Sequence, residues 1–185
     1  MGLTLEGVGN GEGITAKQNR LDVSSRVADR SFYISRDDGE AYIIASGDYI
    51  PITTLNTETG ILYIKNTSTT KKLYIESIRT CGIATQKWKL YSGSTTGTLI
   101  SGAVAGSSQN MNLTSNNVAG ATVYKGADAV TLTNGTMIDH WINGIGHSVE
   151  FLNGGLILGV NDVIALTVET IATNSVCCRM IGYYE

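Results

Sequence analysis

The stretch Leu156-Ile157-Leu158-Gly159-Val160-Asn161-Asp162-Val163-Ile164-Ala165-Leu166-Thr167-Val168-Glu169 decides how this chain folds. A short apolar run reaches Gly159-Val160-Asn161-Asp162, a tight turn built from turn-forming residues, and a second apolar run leaves it. Ile164, Leu166 and Val168 recur at every second position, so they share one face of a strand.

Outward from this pair the pattern repeats. Residues 175–184 read as the last strand. Upstream, Ala41-Tyr42-Ile43-Ile44-Ala45 and Tyr49-Ile50-Pro51-Ile52-Thr53 are short apolar runs, and Gly60-Ile61-Leu62-Tyr63-Ile64-Lys65 ends at the polar turn Asn66-Thr67-Ser68-Thr69-Thr70. Residues 72–79 form a further strand, and Lys87-Trp88-Lys89-Leu90-Tyr91 alternates with Trp88 and Leu90 facing inward. Residues 92–120 are mostly Gly, Ser, Thr and Asn and read as long loops around a weak strand at Leu99-Ile100. Thr131-Leu132, residues 148–152 and residues 156–158 complete the strands. The best helical candidate, Met137-Ile138-Asp139-His140-Trp141-Ile142, is a single turn. About eight to ten short strands without a fixed repeat fit an antiparallel β-sandwich and exclude a solenoid or propeller.

Composition agrees. The chain has 185 residues, of which 42% are hydrophobic and only 16% charged. That is enough apolar surface for one core without metal or disulfide staples. Polarity comes from 22 Thr, 15 Ser, 13 Asn and 22 Gly, which favour strands and turns. A net charge of −3 argues against a phosphate-backbone binder, so no nucleic-acid partner is expected. No apolar stretch approaches the roughly 18 residues of a membrane helix, and no membrane partner is expected. The first residues lack a signal peptide's basic and apolar regions, so synthesis in a reducing cytoplasm is expected. Of the three cysteines, Cys177 and Cys178 are adjacent and point to opposite faces of a strand. The odd count predicts reduced, partly buried thiols.

Charge divides the chain. Residues 1–40 carry 12 charged side chains and residues 90–124 carry none. The first 40 residues read as an extended arm, which opens on alternating glycines from Gly7 to Gly13. Arg20, Arg26, Arg30 and Arg36 then alternate with Asp22, Asp29, Asp37 and Asp38 around Phe32 and Tyr33. Sparse apolar residues cannot order such a segment alone, but Arg–carboxylate pairs at a partner's surface can. Asp37-Asp38-Gly39-Glu40 reads as a turn into the body, residues 41–185.

This order of charged arm, strands, Gly-x-Asn-Asp turn and aromatic terminal strand resembles the jelly-roll structural proteins of tailed bacteriophage virions. Residues 19–26 and 29–39 resemble an N-terminal segment of small phage structural proteins, and residues 156–166 are similar to their C-terminal strand pair. The resemblance covers about a quarter of the chain, and only the first segment is specific to such proteins. It implies a non-enzymatic virion component with a jelly-roll sandwich: a capsid decoration or cement protein, or a head-fibre or tail module. It also implies a homotrimer that binds the major capsid protein or another virion protein, with the arm residues Arg20, Arg26, Arg30, Arg36, Phe32 and Tyr33 at the contact.

Catalytic and ligand motifs are weak by comparison. Asp139 and His140 are adjacent and cannot face each other in a strand, and no Gly-x-Ser-x-Gly elbow exists. Asp139, His140 and His147 lack zinc-site spacing, and Asp37-Asp38-Gly39-Glu40 lacks the spaced carboxylates of a calcium loop. No phosphate-cradling glycine motif occurs, so no cofactor and no metal are expected. Two alternatives to the structural reading are a receptor- or glycan-binding module and a small hydrolase. The first would use tips in residues 92–120 or a platform of Trp88, Tyr91, Trp141, Tyr183 and Tyr184; the second needs a carboxylate pair.

Overall fold

The computed structural model describes residues 34–35, 38–93 and 104–185. They form an all-β sandwich of two antiparallel sheets. The strands are β1 (Ala41–Ala45), β2 (Ile50–Ile52), β3 (Thr59–Asn66), β4 (Leu73–Gly82), β5 (Gln86–Ser92), β6 (Val104–Ala105), β7 (Ser107–Asn110), β8 (Ala121–Lys125), β9 (Thr136–Asn143), β10 (Gly146–Leu158), β11 (Val163–Thr170) and β12 (Asn174–Tyr184). One sheet runs β10-β4-β12-β1-β7, with β2 also on β12, and the other runs β6-β8-β3-β11-β5-β9.

The long pairings nest. β1 pairs with β12, β3 with β11, β4 with β10 and β5 with β9, all antiparallel. The first and last strands are therefore neighbours, and each inner pair lies inside the previous one. Alternation then sends one face of each sheet inward. Tyr42, Ile44, Ile61, Ile64, Ile75, Ile78, Trp88, Leu90, Ile164, Leu166, Val168 and Met180 fill the space between the sheets. Burying one such aliphatic side chain contributes about 1.5–3 kcal/mol. The expected inward face of Ile164, Leu166 and Val168 is present. The opposite face of β11 is covered too, because Val163 and Ala165 pack with Tyr63 and Val130 in a second cluster.

Several expectations change. Residues 137–142 are not a helical turn but most of strand β9. Its alternation is interrupted where the register shifts between Leu90 and Tyr91 of its partner, and nearly all its side chains are exposed, so the sequence carries no period-2 signal there. Residues 148–152 and 156–158 belong to one strand, bulged between Phe151 and Leu156. Thr131-Leu132 keeps only an isolated bridge at Leu132. β6 and β7 appear where loops were expected, β8 lies in a stretch with no expected element, and Leu99-Ile100 lies outside the described residues.

The cysteines are also corrected. The register of β4 on β12 sets Cys177 directly opposite Cys81, and the two form a disulfide with Cα atoms 5.2 Å apart. Cys178 faces the core as the free thiol, and burial pushes its pKa up to about 12. An odd count excludes only a complete set of bridges; it says nothing about a single cross-strand pair.

Candidate functional site

Among the described residues, the most elaborately bonded surface feature is the point where the expected arm joins the sandwich. Ile34 is only 4% exposed and packs with Ala41 and Tyr183, beside Tyr74 and Met111. Tyr74 and Tyr183 stack with ring centroids 5.2 Å apart. These residues lie on the side of the first sheet that faces away from the core, so Ile34 buries apolar surface the sheet would otherwise expose. The amide of Asp38 donates to the Ile34 carbonyl at 3.0 Å.

The end of β7 and the loop after it clamp the segment that comes next. The Asn110 side-chain amide donates to the Gly39 carbonyl at 2.7 Å, and that of Asn112 to the Ser35 carbonyl at 3.0 Å. Asn117 donates to the Asp38 carbonyl at 3.1 Å and to Glu40 Oε1 at 3.3 Å. Glu40 also takes an ion pair from Lys71 at 2.9 Å. It also helps, after burial, to hold the Tyr42 hydroxyl up at about 12. The loop is itself fixed by Asn112, whose Oδ1 accepts from the amide and hydroxyl of Thr114. Gly39 has φ +62°, as the expected turn requires.

Part of the stretch 92–120 thus holds the chain at the arm's root. Among its described residues the exposed large apolar side chains are Val104, Leu113 and Val118. Asn110, Asn112, Ser115 and Asn117 were not singled out from sequence. The signal was present as four Asn in residues 110–117, a density suited to bonding backbone carbonyls. Arg20, Arg26, Arg30, Arg36, Phe32 and Tyr33 lie outside the described residues.

A second feature is the free edge of β9. Met137, Ile138, Ile142 (67% exposed) and Ile145 (83% exposed) lie on it or on the turn that follows. The outer backbone of β9 has no strand partner among the described residues. An apolar open edge is a template for another chain.

The remaining candidates do not assemble. Asp139 accepts from the His140 amide at 2.8 Å, a local bond to the backbone and not to the imidazole. No cluster of metal-ligating side chains occurs among the described residues. The acids that approach one another, Glu58 and Glu169, both contact Lys89, at 2.5 and 3.9 Å. Against a desolvation penalty, hydrogen bonds from Lys89, Tyr91 and Thr167 hold the Glu58 carboxyl below its usual range. A carboxylate so neutralised does not supply the raised-pKa acid of a glycosidase. The aromatic platform is dispersed: Trp88 and Tyr184 are buried in the core, Tyr183 stacks on Tyr74, and the Trp141 indole donates to Thr80 at 3.3 Å. Comparison with protein-family models, curated proteins and solved structures finds no match.

Proposed function

We propose that this chain is a non-enzymatic structural protein of a tailed-phage virion: a capsid decoration or cement protein whose arm and sandwich surface bind the shell. The observation that carries this reading is the socket at the arm's root. Four side chains, Asn110 at the end of β7 and Asn112, Ser115 and Asn117 in the loop after it, bond the backbone and Glu40 there, and Ile34 plugs the outer sheet face. Such a socket holds Ile34 and the Asp38–Glu40 segment on the sandwich, where an attachment arm needs a fixed root, and ordering its side chains costs entropy that a mere tail would not repay.

The nested pairing supports a jelly roll. Reduced to its long strands, one sheet reads β1-β12-β4-β10 and the other β3-β11-β5-β9. That order supports a reading as two Greek keys, an architecture common in viral capsid domains. The exposed β9 edge supports self-association, with a homotrimer as the proposed state. Repetition around an axis would multiply modest contacts by avidity.

Shells lacking this protein test the reading. Full-length chain should bind them, and deletion of residues 1–30, or Arg26→Ala with Arg30→Ala, should weaken binding at least tenfold while circular dichroism stays unchanged. Undiminished binding by the truncated, folded chain would move the contact to the sandwich. Failure of the full-length chain to bind would end the cement reading. Light scattering of wild type and of Ile142→Glu tests the trimer; a monomeric wild type at micromolar concentration refutes it.

A further inference from the structure

On the outward side of the first sheet, two arginines stand face to face. The register of β4 on β12 sets Arg179 directly opposite Arg79. Their sequence neighbours Ile78, Thr80, Cys178 and Met180 are all buried inward, so both guanidinium groups project outward. Like charges directly opposite on a sheet are destabilising. Among the described residues neither arginine has a carboxylate within ion-pair distance to offset this.

The surroundings make this a shaped site. Arg79, Arg179, His147 and Tyr49 line a groove of about 290 Å³ with Ala45 and Gly47. The disulfide between Cys81 and Cys177 lies two residues from each arginine on the same face, and His147 is the β10 neighbour of Cys81. The spacing between the two arginine-bearing strands is therefore locked. The loop carrying Gly47 and Tyr49 is anchored at its start, where Ser46 Oγ accepts from the Cys178 amide at 3.1 Å and donates to the Cys178 carbonyl at 3.2 Å. Asp48, the acid of that loop, accepts from the Tyr49 amide at 2.9 Å and does not line the groove.

We propose that this groove binds an oxyanion carried on a sugar ring, the chemistry of an acidic saccharide. Two planar guanidinium forks on a fixed spacing can each donate paired hydrogen bonds to a carboxylate, and binding removes the repulsion between them. Tyr49 is 59% exposed and offers an aromatic surface to the ring. An extended peptide is disfavoured, because β4 and β12 are interior strands whose edges are already paired. The site is separate from the arm, so it stands or falls independently of shell attachment.

Calorimetric titration of the full-length chain with glucuronate, glucose, sulfate and phosphate tests this. The expected result is saturable glucuronate binding, no glucose binding, and weaker binding of the inorganic anions. Arg79→Gln and Arg179→Gln should each weaken glucuronate at least tenfold, with melting temperature unchanged or raised because the like-charge pair is relieved. Tyr49→Ala should weaken glucuronate but not sulfate. The proposal is overturned by no saturable binding, by binding that survives both glutamine substitutions, or by sulfate and phosphate binding as well as glucuronate.

Discussion

Gly39→Ala is the sharpest probe of the socket at the arm's root. Gly39 sits at φ +62°, where a side chain costs about 1–2 kcal/mol. A Cβ there would also lie 2.5 Å from Ser115 Oγ and 2.8 Å from Ser115 Cβ. Overpacking of that kind costs about 1–3 kcal/mol, giving about 2–5 kcal/mol in all. Ser115 belongs to the loop whose Asn110 and Asn117 hold this segment, so relieving the clash pulls the donors off their carbonyls. The cost falls on local opening of the root, while the core stays folded. Hydrogen exchange reads it at the Asp38 amide, bonded to the Ile34 carbonyl, and at the Met111 amide, bonded to the Ala41 carbonyl. At about 1.4 kcal/mol per factor of ten, exchange there should accelerate roughly thirty- to several-thousand-fold. Adding Ser115→Gly removes the clashing atoms and should restore only the packing share. Unchanged exchange at Asp38 and Met111 in Gly39→Ala, or full recovery in the double variant, would refute the reasoning.

Four further outcomes follow from the same structure. Asn174 is buried; its Oδ1 accepts from the amides of Ile83, Ala84 and Ser175, and its Nδ2 donates to the Ala84 carbonyl and Gln86 Oε1. Asn174→Ala should cost about 2–4 kcal/mol in urea unfolding, with a melting temperature lower by about 5–15 °C. Intact protein should show one alkylatable thiol, Cys178, and only after denaturation. Reducing the bridge, which spans 96 residues, should lower stability by about 2–4 kcal/mol. Glu58 has its folded pKa held below the ordinary 4.5, so its contribution is fully present above that pH and lost as pH falls through the folded value. Urea unfolding of Glu58→Gln should therefore show a shallower loss of stability below about pH 4.5 than wild type.

Where side chains sort by burial, the sequence spoke clearly. Ile164, Leu166 and Val168, or Trp88 and Leu90, alternate with partly polar neighbours, and the period of two survives because one face meets the core. Where burial does not sort them, it fell silent. β9 is an edge strand with both faces largely wet, so Met137, Ile138, His140 and Ile142 occur without regular alternation and mimic a helical turn. β7 and β8 hold their places through backbone ladders to β1 and β3, which ask little of Ser107, Ser108 or Thr122.

The sites were hidden for a different reason, which follows from the nested pairing. A chain closed like one long hairpin brings its early strands against its late ones: β1 against β12, β4 against both β10 and β12. Any outward-facing constellation on the first sheet is thus assembled from distant parts of the sequence. Cys81 and Cys177 are one such pair, and Arg79 and Arg179 follow from the same register two residues along. No local motif can announce such pairs, because the spacing that matters is the sum of everything between them. The arm's root obeys the same rule, with Gly39 held by Asn110 and Asn117 across the β1–β7 edge. On this fold, residues adjacent in sequence, such as Asp139 and His140, are poor candidates for joint chemistry, since in a strand they face opposite ways. Residues in register across β4 and β12 are the good ones. A single-residue slip of β4 on β12 would put Arg79 and Arg179 on opposite faces and part Cys81 from Cys177. The bridge and the arginine pair are therefore one geometric statement: trapping Cys81–Cys177 in the native protein fixes the face on which both arginines stand.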